Sequence, residues 1–358
     1  MFDGTPLFEA MFVRYLYLLT ISVYIWYEFS MSKWIHRGSP LVWGAILFAL
    51  PALAMETDQF TVPKAPLYDL GPQLSRKIIG IIEGDESGHA PAQILVDWIG
   101  HNIFASNIVS WVAHVQAPEG KVRFGPSVLK SIYSLVVFSP VPGSFFFNSP
   151  TVNAFGTYLG TDKIDHFFQQ GGEYYGIVQK KRAAGAAEAE AIAAAIAHGV
   201  TQEHFLYGTM ISGVYSNGDL AADYAGMKFY LNLLETVQIG DTSYPPLFRV
   251  TADGWRLRAD VDPERMLMPY FSDHFNESLN PSRYKFSRGF LRHQVRKRCK
   301  KWKAFYADKL DLVAPVTESF ARNWHGEEYG HWLPPQQEVS IATECTNAKD
   351  SVGKRTRN

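Results

Sequence analysis

The sequence contains little cysteine and almost no net charge. Two of its 358 residues are cysteines, Cys299 and Cys345, and the formal net charge is -1. Two cysteines without a C-x-x-C spacing exclude the common cysteine-based zinc sites; they could form one disulfide or remain unlinked thiols. The balanced charge gives no overall attraction to nucleic acid, so we expect no nucleic-acid partner.

Motifs of several common enzyme classes are also absent from the sequence. The chain has no G-x-S-x-G motif, no nucleotide-binding glycine loop and no internal repeat. Neither cysteine lies in a sequence context that provides a histidine partner. These absences disfavour an enzyme that uses a serine or cysteine nucleophile.

The sequence does contain enough apolar residues for a large core. Hydrophobic residues make up 47% and charged residues 19% of the chain, which is typical of a globular protein. We predict a mainly α-helical single domain over residues 55–343, with one small β-hairpin formed by Phe248–Val250 and Trp255–Arg258. Residues 344–358 are polar, and we predict a disordered tail there.

The N-terminal part carries a targeting pattern. Residues 31–54 combine a basic start, an apolar run and the small residues Ala52-Leu53-Ala54, which is the anatomy of a secretory signal peptide. Residues 1–30 would then be a gene-model extension before the true start. The alternative is a membrane helix at Met11–Phe29. Both interpretations predict an exported protein, in the periplasm or associated with the membrane.

The stretch 160–230 places acidic residues and a histidine at helical spacings. Thr161 is a good N-cap, and Asp162 lies in the first turn, where a carboxylate interacts favourably with the helix dipole. His166 follows Asp162 by four residues, so both lie on one helix face. A carboxylate at this spacing can orient an imidazole or join it as a metal ligand.

A second helix places a carboxylate on an apolar face. Projected at helical periodicity, Glu203 lies on the same stripe as Ile196 and other apolar residues. A buried carboxylate is costly without a partner, so Glu203 should have a partner or a function. If the helix turns at Gly199, Gln202 or His204 would take the inner position instead.

A third helix begins after Ser216. Ser216 and Asp219 have the spacing of a capping box, which accounts for both residues. Asp223 lies one turn later on the same face, and capping does not account for it. Gly226, near the same stripe, would allow another helix or a ligand to approach closely.

Together the three helices predict one convergent polar site. The candidate catalytic residues are His166, Glu203 and Asp223. The candidate metal ligands are Asp162, His166, Glu203, Asp219 and Asp223. Several carboxylates with one imidazole suit a divalent metal ion or an acid–base site. The alternative is that these residues are independent helix caps and surface acids.

The order of these motifs resembles that of the VanZ-like family and of related small envelope lipoproteins. Their pattern reads D-K-x-x-H-F, then a glutamate in the middle helix, then D-L-x-x-[ND]-x-x-G. The matching residues here are Asp162, Lys163, His166, Phe167, Glu203, Asp219, Leu220, Asp223 and Gly226. The chain lacks the uniformly apolar transmembrane helices typical of VanZ-like proteins. The resemblance therefore implies a soluble or peripheral cell-envelope relative with a shared polar site, and it implies no particular reaction.

Two functional hypotheses follow from the sequence. The first is an exported metal-dependent hydrolase or transferase that acts on envelope lipid or cell-wall material. The second is a non-catalytic envelope binding or scaffold protein, in which the same residues form a buried polar network. In the second case the cationic stretch 289–310 would bind an anionic membrane surface, although such a stretch can also be a solvated helix face.

Overall fold

The computed structural model of the protein describes residues 57–100, 106–127, 130–133, 149–205, 214–284, 288–306 and 338–345. The predicted signal peptide at residues 31–54 and the segment 1–30 lie outside these residues, and both remain predictions. None of the described helices combines the length and the apolar content needed to cross a bilayer.

The first described part consists of three short helices and a three-stranded sheet. The helices are α1 (Gly71–Glu83), α2 (Pro91–Ile99) and α3 (Asn107–His114). The strands are β1 (Arg123–Phe124), β2 (Thr151–Ala154) and β3 (Thr157–Gly160), antiparallel in the order β1-β2-β3. Strand β3 leads directly into the helix that begins at Thr161.

The centre of the fold is a group of helices around one fully buried helix. These are α4 (Thr161–Asp165), a π-helical turn (His166–Gln170), α5 (Gly171–Ala183), α6 (Glu188–Phe205) and α7 (Asn217–Asn232). The segments α4, π-turn and α5 follow one another without a break. Every residue of α7 is buried, as expected for a helix covered on all of its faces.

Two glycines allow the π-turn and α5 to pack directly against α7. A Cβ atom added to Gly226 would lie 1.9 Å from the carbonyl oxygen of Phe167, and one added to Gly171 would lie 2.6 Å from Cα of Gly226. The two backbones can touch here because neither glycine has a side chain. The prediction that Gly226 allows a close approach is confirmed, and the approach brings His166 next to α7.

The remaining described residues form three further small sheets, two α-helices and two 3-10 helices, Met268–Tyr270 and Asp273–Phe275. Two antiparallel hairpins follow α7: β5 (Val237–Ile239) with β6 (Thr242–Tyr244), and β7 (Phe248–Thr251) with β8 (Gly254–Leu257). A third sheet has the order β10-β9-β4 and consists of β4 (Val214–Tyr215), β9 (Ser282–Tyr284) and β10 (Glu338–Val339). The α-helices are α8 (Arg288–Phe305) and α9 (Ile341–Cys345).

The prediction of a mainly α-helical single domain with one small hairpin is wrong, because several small sheets accompany the helices. The predicted hairpin is confirmed as β7 and β8, but the described residues contain four small sheets interleaved with the helices. Two features prevent the recognition of these strands from the sequence. Strands β4 and β10 have two residues each, and all four residues of β2 are buried, so no alternating pattern forms.

The two cysteines form a disulfide bond, with their Cα atoms 5.6 Å apart. The bond joins α8 to α9, and Glu344 of α9 also pairs with Arg292 and Arg296 of α8. The predicted disordered tail therefore begins too early, because Glu344 and Cys345 belong to a helix that these contacts hold in place. Residues 346–358 lie outside the described residues.

Candidate functional site

The structure brings the five predicted site residues into one cluster beside α7. The segment formed by α4 and the π-turn contributes Asp162 and His166, α6 contributes Glu203, and α7 contributes Asp219 and Asp223. Helical spacing accounts for the pairs within each segment. The close packing at Gly226 accounts for the contact between segments. The cluster divides into an inner half around a lysine and an outer half around the histidine.

The inner half surrounds the ammonium group of Lys163. Its Nζ donates hydrogen bonds to Asp162 Oδ2 and Glu277 Oε1, both at 2.6 Å, and lies 2.5 Å from Asp219 Oδ1. The side chains of Lys163 and Glu277 have no exposed surface. Burial raises the pKa of Glu277, although the charge on Lys163 opposes this. The lysine is thus the positive centre of three buried or half-buried carboxylates.

The same three carboxylates are close enough to one another to hold a metal ion. One oxygen from each of Asp162, Asp219 and Glu277 lies within 4.8 Å of the other two. This group shares only Asp162 and Asp219 with the predicted ligand set. It contains Glu277, and it lacks the predicted ligands His166, Glu203 and Asp223. The ammonium of Lys163 already contacts all three carboxylates, so a metal ion at this position would have to displace it.

The outer half is built on His166. Its Nδ1 lies 2.8 Å from Oδ1 of Asp223, and its Nε2 lies 3.6 Å from Oδ2 of Asp219. The imidazole is 20% exposed, compared with 9% for the side chain of Asp219 and 6% for that of Asp223. His166 is therefore the member of this half that solvent or a small molecule reaches most easily.

Glu203 faces inward and has a partner, as predicted. It is buried, and its Oε1 accepts the backbone N–H of Ser216 at 2.8 Å. The Ser216 hydroxyl in turn accepts the backbone N–H of Asp219 at 3.1 Å, which confirms Ser216 as the cap of α7. The other half of the predicted capping box is wrong, because Glu203 and not Asp219 accepts the backbone N–H of Ser216. The Ser216 hydroxyl also donates to Glu277 at 3.1 Å. Ser216 thus connects Glu203 with the inner half.

The pKa values of His166, Asp223 and Glu203 are all raised, but for different reasons. Burial opposes protonation of His166, but the carboxylates of Asp219 and Asp223 outweigh it and hold the pKa of the imidazole well above its usual range. Burial raises the pKa of Asp223 to about 6. Burial, together with the charge on Asp219, raises the pKa of Glu203 well above its usual range.

Asp219 behaves differently because two cations flank it. Burial alone would raise its pKa, but His166 and Lys163 lower it below its usual range. The whole cluster contains five carboxylates and two basic side chains, so it carries excess negative charge unless it takes up protons or a cation. Its carboxylates are Asp162, Glu203, Asp219, Asp223 and Glu277.

Three contributors to the cluster were not among the predicted site residues, although Lys163 belongs to the matching D-K-x-x-H-F motif. Lys163 offers a signal, because a lysine in the first turn of a helix opposes the helix dipole and needs another reason to be there. Glu277 offers none: it lies in a polar, turn-rich segment without periodicity. Tyr174, which hydrogen-bonds to Asp223, offers none either. A Cβ atom on Gly199 would lie 1.4 Å from the Tyr174 hydroxyl, so that glycine leaves room for it.

Regular helical spacing would place Glu173, seven residues after His166, on the same face as His166, but the structure does not. Glu173 instead pairs with His198 of α6 at 2.9 Å, on the surface. The physical reason is the π-helical turn, which changes the angular spacing between the two residues. Such turns are frequent at functional sites, and this one begins at His166.

Comparison with known proteins adds no assignment: the chain matches no family model, no curated protein and no solved structure. The functional conclusion therefore depends on the chemistry of the cluster.

Proposed function

We propose that the chain is an exported cell-envelope hydrolase or transferase that uses the outer half of the cluster together with a divalent metal ion. The observation that carries this proposal is the spacing of His166 Nε2 and Asp219 Oδ2, which lie 3.6 Å apart. This is longer than a hydrogen bond. Two ligands of one tetrahedral ion, each at about 2.1 Å from it, lie roughly 3.4 Å from each other.

The second nitrogen of His166 supports the same assignment. Metal-binding histidines commonly donate their other ring N–H to a carboxylate, which fixes the ring and raises its basicity. Nδ1 of His166 has such a partner in Asp223 at 2.8 Å. Asp223 is therefore a positioning residue in this proposal, while His166 and Asp219 are the ligands.

The remaining groups have complementary roles. A divalent ion bound here would supply Lewis acidity and a bound water of lowered pKa. Glu203, whose pKa burial raises well above its usual range, is the proposed acid that donates a proton to a leaving group. Lys163 neutralises the other oxygen of Asp219 and, with Asp162, fixes the start of α4.

Envelope lipid or cell-wall material is the proposed substrate class. The targeting pattern in residues 31–54 and the resemblance of the motifs to VanZ-like proteins support this location. The bond between Cys299 and Cys345 supports it as well, because structural disulfides are typical of exported proteins and rare in the cytosol.

Metal content of the purified protein tests the proposal. We expect the wild type to contain a stoichiometric amount of metal ion, either as purified or after addition of Zn²⁺ or Mn²⁺. The control His114→Gln, whose imidazole is exposed on α3, should contain the same amount. His166→Gln should lose the ion, and Asp223→Asn should bind it about 10–100-fold more weakly. A folded His166→Gln variant that keeps the wild-type metal content would refute the proposal. The same samples would be assayed with p-nitrophenyl esters and phosphodiesters.

A second candidate function, binding to an anionic membrane surface without catalysis, is favoured by α8. This helix contains eight Lys and Arg residues and no acidic residue. Leu291, Val295 and Trp302 form its buried face. The cations Arg296, Lys297, Lys300 and Lys301 lie on its exposed face. Each cation near an anionic membrane contributes about 1 kcal/mol.

The structure separates the cations of α8 that have structural contacts from the others. Arg292 and Arg296 pair with Glu344, and Arg298 donates to Thr61 and to the Lys130 carbonyl. A binding test should therefore change the three exposed lysines of α8, Lys297, Lys300 and Lys301, to glutamine. We expect this triple variant to lose salt-sensitive binding to phosphatidylserine vesicles, while Lys180→Gln/Lys181→Gln on α5 keeps it. Equal binding by both variants would exclude α8 as the membrane contact.

A further inference from the structure

Strands β4 and β9 hold an arginine against a tyrosine beside the cluster. Tyr215 and Arg283 stand directly opposite each other in this antiparallel pair. Opposite residues project from the same face of a sheet. The guanidinium carbon of Arg283 lies 5.1 Å from the centre of the Tyr215 ring. This contact restrains the guanidinium, which is the side chain best suited to bidentate recognition of an oxyanion.

Tyr215 connects this arginine to the outer half of the cluster. It is buried and immediately precedes Ser216, whose backbone N–H binds Glu203. Burial raises the pKa of the Tyr215 hydroxyl, the charge on Glu203 raises it further, and Arg283 lowers it. The tyrosine therefore lies within electrostatic reach of both Glu203 and Arg283.

Among the residues that the structure describes, none forms a hydrogen bond with Nη2 of Arg283, although this atom is buried. Oδ1 of Asn217, at the start of α7, is likewise buried without a donor in the described part of the chain. The amide of Asn217 is anchored on the carbonyl of Pro281, two residues before Arg283. Buried polar atoms are nearly always paired, and an unpaired one costs about 1–3 kcal/mol.

We propose that Arg283 and Tyr215 form a subsite for an oxyanion of the substrate, a phosphate or a carboxylate. This rests on the proposed function, because it places the anionic group one tyrosine side chain away from Glu203. The excess carboxylates of the cluster repel an anion, so a substrate that carries one needs a cation outside the cluster to hold it. Arg283 supplies that cation, and an oxyanion supplies the acceptor that Nη2 lacks.

Direct binding of two small probes to the full chain tests the subsite. Phenyl phosphate and benzoate carry the two oxyanions on the same ring, and phenol controls for the ring itself. Calorimetric titration should show binding of at least one anionic probe, and the tighter one identifies the oxyanion. Arg283→Gln should weaken it by about tenfold or more, and Arg283→Lys should weaken it less. Arg249→Gln, an exposed arginine in β7, should bind as the wild type does.

Three results would overturn the subsite: neither anion binds better than phenol, Arg283→Gln binds as tightly as the wild type, or Arg249→Gln loses as much affinity as Arg283→Gln. Circular dichroism would establish that each variant is folded. If Arg283→Gln does not fold, the probe titration is carried out with Arg283→Lys instead. An affinity of this variant for the anionic probe equal to that of the wild type would overturn the subsite.

His166→Gln separates this inference from the proposed function. We expect this variant to lose the metal ion and still bind the anionic probe. If the wild type binds no metal ion but its binding of the anionic probe depends on Arg283, the proposed function is rejected and the subsite is retained. If His166→Gln loses the metal ion but Arg283→Gln binds the probe as tightly as the wild type, the subsite is rejected and the proposed function is retained.

Discussion

Nζ of Lys163 lies 2.6 Å from Oε1 of Glu277, although 114 residues separate them in the sequence. Both side chains are fully buried. Their contact joins the start of α4 to the segment that follows Phe275, and the backbone N–H of Glu277 donates to Gln59 as well. The inner half of the cluster therefore ties three distant parts of the chain together.

Replacing this lysine should be strongly destabilising. Lys163→Met leaves three carboxylates without their shared cation, and removing one partner of a buried ion pair costs about 3–5 kcal/mol. Urea denaturation would measure the loss. The exposed helical lysine Lys180 is the control, and Lys180→Met should change the stability by less than about 0.5 kcal/mol. Lys163→Met/Glu277→Gln should be more stable than Lys163→Met alone. A loss for Lys163→Met no larger than that of the control would show that the cluster does not depend on this cation.

Two glycines in neighbouring helices should respond to alanine in opposite directions. At Gly226 the new methyl group would meet the Phe167 carbonyl at 1.9 Å, so Gly226→Ala should push the π-turn away from α7 and destabilise the fold. At Gly176 in α5 nothing lies within 4 Å of the added Cβ. Gly176→Ala should therefore stabilise the protein by about 0.5–1 kcal/mol.

Thermal unfolding of the two glycine variants checks this prediction. The Gly226→Ala variant should also bind Zn²⁺ or Mn²⁺ more weakly, because the π-turn carries His166. Equal melting temperatures for the two variants would contradict the packing described for α7.

The parts of the site that follow from local spacing were predictable from the sequence. Ser216 as a cap, Asp223 one turn after Asp219, and Glu203 on an apolar face each depend on a few neighbouring residues and on helical geometry. The structure has all three features.

The parts that depend on distant contacts were not predictable. Glu277 is buried because Lys163 and Gln59 bind it, and neither lies near it in the sequence. Strand β4 exists because it pairs with β9, and a two-residue strand has no period of its own. The π-turn that begins at His166 packs against α7 at Gly226, and no spacing in the segment indicates it.

His274 should make stability depend on pH. It is fully buried, and burial lowers its pKa to about 3. Below pH 6.5 the unfolded chain binds a proton that the folded protein does not. The contribution of neutral His274 to the free energy of unfolding is thus fully present above pH 6.5. It is lost as the pH falls towards 3, by about 1.4 kcal/mol for each pH unit.

Urea denaturation between pH 7 and pH 4 would measure this effect as the difference between the wild type and His274→Gln. The difference should shift steadily in favour of the variant as the pH falls. His114→Gln should follow the wild type throughout. A difference between wild type and His274→Gln that does not change with pH would show that His274 is not the group responsible.

The bond between Cys299 and Cys345 should contribute a large part of the stability at the C-terminal side. It closes a loop with a sequence separation of 46, and chain entropy predicts a contribution of about 4 kcal/mol for a loop of this length. The double variant Cys299→Ser/Cys345→Ser should lose about this much in urea denaturation. Reductant should lower the stability of the wild type to the level of the variant and leave the variant unchanged. Because β10 pairs with the strand that carries Arg283, both treatments should also weaken binding of the anionic probe. Two reactive thiols in the purified protein, unfolded without reductant, would show that the bond does not form.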